Sequence, residues 1–220
     1  MLRADLHIHT EYSMDCRMTF AQIISRCQER NIGCIAVTDH GTAEGALKMQ
    51  AIAPFKIIVG QEVLTTSGEV MGLFLKETVP NNLSVDDTIA LIRTQSALVA
   101  LPHPFDRLRT SPLNNHEPGN LLPKVDILEE FNARDVLQNN RSRIQRLAQE
   151  YGLCTSAGSD AHTPEEVGRA YVEMPEFETP QEFLRSLAQG KIGGRRSSPM
   201  VHLSTTLMHL FKDRKLFRTW

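Results

Sequence analysis

The sequence predicts an α/β fold in which short β-strands and helices alternate around a parallel sheet or barrel. Continuous apolar runs such as residues 34–38 are typical of buried parallel strands, whereas residues 20–30 carry apolar side chains at helical spacing. Because patterns of these two kinds alternate along most of the chain, they favour repeated βα units. With 220 residues, of which 41% are hydrophobic, the chain can bury the core of one domain.

Seven strands are predicted, most of them leading directly into a polar segment. The sequence Ser67-Gly68-Glu69 predicts a hairpin turn between the third and fourth strands. In chain order, the predicted strands are residues 3–9, 34–38, 56–59, 70–75, 97–101, 125–131 and 153–157.

Six helices are predicted between or after these strands. Thr19 and Thr42 are the expected N-caps of the first two, and Gly33 lies where the first should stop. Residues 105–123 are rich in Pro and Asn and predict a long loop with room for one helical turn. In chain order, the predicted helices are residues 20–30, 42–52, 84–96, 136–151, 178–189 and 201–217.

Composition excludes several classes of protein. The formal net charge of −2 gives no global basic field of the kind that marks a dedicated nucleic-acid binder. The four cysteines form no CxxC pair and are expected to be reduced thiols in a cytoplasmic protein. We find no secretory signal pattern and no apolar run of the roughly 20 residues that a membrane helix needs, so no membrane partner is expected.

The first predicted strand ends in Asp5-Leu6-His7-Ile8-His9-Thr10. Side chains at i and i+2 of a strand point to the same face, so His7 and His9 are expected to project together. Two imidazoles side by side at a strand end form half of a metal site. Alone, such a pair is weak evidence, because adjacent surface histidines arise by chance.

More metal-ligating side chains follow the later strands, and a (β/α) barrel would bring them to one rim. A single histidine after a strand is more often a hydrogen-bonded loop residue, and Asp160 alone could cap a helix starting near Thr163, which itself forms a capping-box pattern with Glu166. The joint pattern is harder to explain by chance. The predicted metal ligands are His7, His9, Asp15, His40, Glu62, His103, Asn132, Asp160 and His162.

The ligand types indicate which metals to expect. Imidazoles with carboxylates and no thiolate suit Mn²⁺, Zn²⁺ or Fe and argue against a closed structural zinc site. Nine ligands are more than one ion can use. Two to three divalent ions are therefore expected, with Mn²⁺ as first choice. Three carboxylates would leave such ions with excess positive charge, which favours an anionic substrate.

The motifs around these residues resemble those of the PHP (polymerase and histidinol phosphatase) superfamily. The resemblance spans about residues 3–165, and residues 166–196 look like the short region that follows the core in small members. It implies a distorted (β/α)7 barrel with the metal site at the C-terminal rim of the strands, and phosphoester hydrolysis. The matching motifs are DLHIHT (5–10), TDH (38–40), GQE (60–62), PHP (102–104) and GSDAH (158–162).

The resemblance also implies how the ligands are shared among metals. One ion would take His7, His9, Glu62 and Asp160. Glu62 would bridge to a second ion, which also takes His103. The third ion would be held by Asp15, His40 and His162.

The chain departs from the histidinol-phosphatase pattern at Asp15 and Asn132, where some members carry histidine. An Asn oxygen is a weaker ligand, which affects the second ion. Residues 129–134 look more like members that act on nucleotides or 5′-phosphorylated nucleic acids. The extra domain that those members often carry between the His40 and Glu62 motifs is absent from this sequence.

The expected mechanism is attack of a hydroxide shared by two metals on a phosphomonoester. Arg134 is expected to hold phosphate oxygens, because a guanidinium forks onto phosphate; alternatively it only pairs with Asp135. Asp160 or His162 is expected to relay a proton. Residues 193–198 are predicted to form a flexible basic turn, in which Arg195 is a further candidate for phosphate binding.

Three functions stay open on the sequence. The first is a phosphatase acting on a nucleotide or another small phosphorylated metabolite. The second is an exonuclease or 5′-end trimming enzyme, whose partner would be a short nucleic acid. The third is a non-catalytic, metal-stabilised module.

The sequence is expected to divide into two structural regions. Residues 1–196 form the barrel with its short C-terminal region, and residues 197–220 add a helix and basic tail that pack on the barrel. His116, His202 and His209 are assigned no site role. The sequence does not indicate an oligomeric state.

Overall fold

The structure is a computed structural model that describes residues 1–106, 111, 113, 117–135 and 140–198. The predicted helix at 201–217, most of the predicted tail, the first residues of the helix predicted at 136, and the three unassigned histidines lie outside these residues. No helix in the described ranges is both long and apolar enough to cross a membrane.

The described chain folds into one nine-stranded mixed sheet, curled into a nearly closed barrel, with helices outside it. The strand order is β7-β6-β5-β4-β3-β2-β1-β8-β9. The strands are β1 (Leu2–Ile8), β2 (Cys34–Val37), β3 (Lys56–Thr65), β4 (Gly68–Leu73), β5 (Leu98–Leu101), β6 (Ile127–Asn132), β7 (Cys154–Gly158), β8 (Ala170–Met174) and β9 (Lys191–Gly194). The helices are α1 (Phe20–Glu29), α2 (Glu44–Gln50), α3 (Val85–Thr94), α4 (Pro118–Leu121), α5 (Arg141–Tyr151) and α6 (Pro180–Ala188).

The α/β class and barrel shape confirm the prediction, but the sheet is not uniformly parallel. Strands β1, β2 and β3 are parallel, as are β5, β6 and β7, whereas β4 joins the two groups by antiparallel pairing. The sequence prediction also missed β8 and assigned residues 193–198 to a flexible turn, although 193 and 194 belong to β9. Both strands are short and pair antiparallel beyond β1, where no βα pattern marks them.

Local sequence signals explain most helix starts. Thr19 caps α1 in a full capping box with Gln22, as predicted, and Ser84 caps α3. The prediction for Thr42 was wrong in position: α2 begins one residue later, after Ala43. The Thr42 hydroxyl still accepts the backbone N–H of Glu44, so it satisfies one of the free donors of that helix.

Two hydrophobic layers enclose the sheet. One lies between the sheet and helices α1, α2 and α3, and includes Ile23 and Ile92. The other fills the barrel and is closed at one end by Phe177 and Phe183, whose rings meet edge to face at 4.9 Å. The opposite end of the barrel, where the parallel strands finish, is left for polar side chains.

Candidate metal centre

A β-bulge turns the first two histidines into the barrel. Asp5 pairs with Ile35 and Ile8 with Val37, so β1 has one more residue than β2 over this stretch. Such an extra residue reverses which side chains face inward. Ala4 and Leu6 face the barrel core, and after the bulge His7 and His9 are both fully buried at its rim, as the sequence predicted for the pair.

His7, His9 and Glu62 bring one ligand atom each to a common point. The two Nε2 atoms lie 3.1 Å apart, and Glu62 Oε2 lies 3.2 Å from His7 Nε2 and 3.4 Å from His9 Nε2. Asp160 Oδ1 is 3.3 Å from His9 Nε2. These four residues are the set that the family resemblance assigned to one ion.

A second group shares His9 with the first. Ligand atoms of His9, Asp15, His40 and His162 all lie within 4.8 Å of one another. His162 Nε2 is 2.8 Å from Asp15 Oδ2, and His40 Nε2 is 3.5 Å from the same oxygen. Burial acts to raise the pKa of Asp15, but the hydrogen bonds from His162 and His40 outweigh it and hold that pKa below its usual range.

Glu69 belongs to the centre, although the sequence pattern predicted it only as part of a hairpin turn and not as a ligand. It combines with His40 and Glu62 as a third group of ligand atoms, and it lies 3.7 Å from His103 Nε2. Glu69 is at the start of β4, which runs antiparallel to its neighbours, so a strand start there meets the strand ends around it. The sequence predicted that Glu62 follows the end of a strand, but it lies inside β3. It comes after Val59, where the parallel pairing of β3 with β2 stops.

Glu129 holds two residues of the centre in place, and the sequence did not predict this role. Its carboxylate accepts a hydrogen bond from His7 Nδ1 at 3.0 Å and from the backbone N–H of His103 at 2.7 Å. Burial acts to raise its pKa, but the neighbouring His7 outweighs that effect and lowers it. A carboxylate inside the apolar strand β6 was the available signal, because a buried charge needs a partner.

Asn132 and Asp160 lie beside each other at the rim. The Asn132 amide group donates to Asp160 Oδ2 at 3.1 Å and to Glu129 Oε2 at 2.9 Å, while its oxygen accepts the backbone N–H of Arg134. In this arrangement the NH₂ group, rather than the oxygen, faces the carboxylates. Asp160 has a left-handed backbone with φ +54°, and its N–H bonds to the carbonyl of His7 at 2.7 Å.

The sequence predicted that Arg134 binds substrate phosphate or pairs with Asp135, but the structure shows a different partner. Its Nε donates to Glu166 at 2.8 Å, and both side chains are almost fully buried. Glu166 also accepts the backbone N–H groups of His162 and Thr163. Residues 164–168 form turns rather than the helix that was considered there. Arg134 therefore ties the end of β6 to the loop that carries His162.

The structure does not bring Arg195 to the centre. Its backbone N–H bonds to the carbonyl of Arg169, and its side chain lines a separate cavity beside the start of β1. Apart from Arg134 and Asn132, the remaining eight predicted site residues offer imidazole or carboxylate groups at one rim of the barrel. These are His7, His9, Asp15, His40, Glu62, His103, Asp160 and His162.

The donor set fits divalent metal ions. Two imidazole nitrogens facing each other at 3.1 Å need either a proton or a cation between them. Around an octahedral ion with bonds of about 2.1 Å, neighbouring ligand atoms lie about 3.0 Å apart. His9 Nδ1 is buried without a hydrogen-bond partner among the described residues. Burial lowers the pKa of His9 to about 3, so this imidazole is held neutral, as a metal ligand must be.

Comparison with known proteins decides the family. The PHP domain family matches residues 5–162, and a PHP-associated family matches residues 138–192. The chain belongs to the PHP domain family. MJ0417, an uncharacterised protein from Methanocaldococcus jannaschii, is 34% identical to this chain over 197 residues, which cover 84% of this chain and 79% of MJ0417.

Solved structures show the same PHP-like fold at low identity. PsfC from Pseudomonas syringae superposes with a TM-score of 0.68 at 18% identity, covering 96% of this chain and 99% of PsfC. A two-domain protein from Bacteroides vulgatus that contains a predicted PHP-like metal-dependent phosphoesterase gives a TM-score of 0.68 at 15% identity, covering 88% of this chain and 65% of that protein. All the candidate ligands, from His7 to His162, lie within residues 5–162, which the PHP domain family matches.

Proposed function

We propose that this PHP domain is a metal-dependent phosphoesterase that hydrolyses the phosphomonoester of a nucleotide or another small metabolite. The observation that carries the proposal is the sharing of ligands. His9 belongs to two groups of ligand atoms and Glu62 to two, so neighbouring ions would lie close enough to act on one phosphate. We propose two to three Mn²⁺ ions, with Zn²⁺ or Fe as alternatives.

The residues of the chain hold and orient the reacting groups. When bound, the ions would supply charge stabilisation for phosphate oxygens and activate a water as nucleophile. Glu129 fixes the ring of His7, and Glu166 fixes the loop that carries His162. Asp160 and His162 are the proposed proton-handling residues; their carboxylate and imidazole lie 3.6 Å apart.

A pocket next to the centre supports a small substrate. Its volume is about 160 Å³, and it opens beside the second and third ligand groups. Asp15, His40 and Glu69 form its polar wall, and Met14 and Leu64 form its apolar wall. We propose that the phosphoryl end of the substrate meets the polar wall while the organic part contacts the apolar wall.

Phosphate release by the Mn²⁺-reconstituted protein tests this function. The panel contains nucleoside monophosphates, nucleoside bisphosphates, sugar phosphates, histidinol phosphate and 5′-phosphorylated oligonucleotides. We expect turnover of one small-molecule class, abolished in Glu62→Gln. Release of nucleotides rather than inorganic phosphate from the oligonucleotides would replace the phosphatase by a nuclease, and no turnover with metals shown to be bound would contradict the proposal.

A further inference from the structure

A second cavity, of about 530 Å³, lies away from the metal centre beside the start of β1. Arg3 lines it and precedes His7 by four positions, which is about 13 Å along a strand. No residue of the three metal-ligand groups lines it. We call it the arginine pocket, after the four arginines among its lining residues: Arg3, Arg30, Arg169 and Arg195.

Three of these arginines have no acidic partner among the described residues. The carboxylate of Glu173 pairs with Arg3 at 2.7 Å, and Glu29, at the pocket edge, pairs with Arg26. Within the described part of the chain, no carboxylate pairs with Arg30, Arg169 or Arg195. The pocket therefore carries excess positive charge inside a protein whose formal net charge is −2.

The backbone holds these cations close together. Arg30 and Arg169 both donate to the carbonyl of Glu165, each at 3.1 Å. The Arg195 backbone N–H donates to the carbonyl of Arg169, which brings the third guanidinium to the same wall. Burial lowers the pKa of Arg30, and the charges of Arg26, Arg169 and Arg195 lower it further. Like charges held together are unfavourable, and a bound anion would relieve the repulsion.

We propose that the arginine pocket binds a small molecule carrying phosphate groups, through the guanidinium groups of Arg30, Arg169 and Arg195. Guanidinium forks match phosphate oxygens in a bidentate geometry. The cavity volume lies within the range of about 300–1,000 Å³ that small-molecule sites occupy. A nucleic acid is disfavoured, because the formal net charge of −2 gives no global basic field of the kind that such partners need. The site does not depend on the chemistry proposed for the metal centre.

Tungstate, a tetrahedral oxyanion that scatters X-rays strongly, locates the site directly. Crystals of the full chain soaked in sodium tungstate should show an anomalous peak among Arg30, Arg169 and Arg195, separate from any peak at the metal centre. Crystals of Arg195→Ala should lose the first peak only. The absence of a peak in the arginine pocket of the wild-type protein would overturn the proposal, whatever the metal centre shows.

Calorimetry with inorganic triphosphate and with a single-stranded oligonucleotide distinguishes a small phosphorylated ligand from a nucleic acid. Arg195 makes no side-chain bond in the described residues, so its removal should leave the fold intact. We expect Arg195→Ala to weaken triphosphate binding about tenfold or more, while Arg185→Ala, an exposed arginine on α6, leaves it unchanged. Equal affinities in all three proteins, or an Arg195 dependence seen only with a single-stranded oligonucleotide, would overturn a small-molecule site.

Discussion

At the residue scale, His7 shows how the centre is prepared for metal. Its Nε2 faces His9 and Glu62, whereas its Nδ1 donates to Glu129. Burial acts to lower the pKa of His7, but the charges of Asp160, Glu129 and Glu62 outweigh it and raise that pKa well above the usual range. A proton on His7 therefore substitutes for the metal charge that the surrounding carboxylates require.

Glu129→Gln should weaken metal binding without unfolding the protein. The ring of His7 would lose its charged partner, and loss of such a partner reduces metal affinity about 10–100-fold. Competition with a fluorescent chelator measures the affinity. Glu130→Gln is the matched control, because the neighbouring Glu130 bonds to Arg141 and Gln145 instead. Equal losses in the two variants would show that Glu129 does not position His7.

His40 should make the stability of the metal-free protein depend on pH. Burial acts to lower its pKa, but Glu62 and Asp15 outweigh it and raise the pKa from 6.5 to about 10. The folded state thus binds the proton more tightly than the unfolded state, so the stabilisation is complete below pH 6.5 and lost as the pH rises through about 10.

Urea unfolding in chelator between these pH values measures the effect. The wild-type protein should lose stability with rising pH, and His40→Gln should make that loss smaller but not abolish it, because the raised pKa of His7 acts in the same direction. Metal binding should show the opposite trend, because the ligand must be deprotonated. A wild-type curve that rises across this interval would contradict the assignment.

Arg134→Ala should destabilise the fold by about 3–5 kcal/mol, because it leaves Glu166 charged and buried without its cation. Arg3→Ala breaks an Arg–Glu pair of similar length that is about 40% exposed, and should cost far less stability, because solvent screens an exposed pair. Chemical denaturation compares the two. The sequence also predicted that Arg134 holds substrate phosphate. If so, Arg134→Ala protein that still folds should have a higher KM, and an unchanged KM would show that Arg134 is not part of the substrate site.

At the element scale, strand direction determines what could be predicted. Parallel strands bring their C-terminal ends to one rim, which is why His7, His40 and Asp160 were found from their places after apolar runs. Glu69 could not be found this way, because it opens the antiparallel strand β4. The bulge in β1 was equally hidden, since it depends on register with β2.

Gly158 shows how closely two of these elements approach. A Cβ atom there would lie 2.2 Å from the Cβ of His7, so β7 can pass β1 only with glycine at this position. Gly158→Ala should therefore push His7 aside and lower both stability and metal affinity.

Gly152→Ala is the comparison. Gly152 ends α5 with φ +68° and nothing within 4 Å of an added Cβ, so alanine should cost about 1–2 kcal/mol in backbone strain alone. Thermal unfolding and metal titration of both variants distinguish the effects. Unchanged metal affinity in Gly158→Ala would mean that this contact does not position His7.

At the scale of the whole molecule, the barrel separates packing from chemistry. Aromatic rings fill one end, and imidazoles with carboxylates fill the other. Alternating apolar patterns predicted the α/β barrel, because such patterns reflect burial. Strands β8 and β9 and the Arg134–Glu166 pair depend on contacts between distant segments, so no local pattern marked them.

The metal content of the purified protein tests the central claim most directly. Elemental analysis of the wild-type chain should find about two to three divalent ions per molecule. Glu62→Gln removes a carboxylate shared by two ligand groups and should lose most of this metal, while Glu130→Gln keeps it. Metal-free wild-type protein after growth and purification with Mn²⁺, or full occupancy in Glu62→Gln, would contradict a multi-metal centre at this rim.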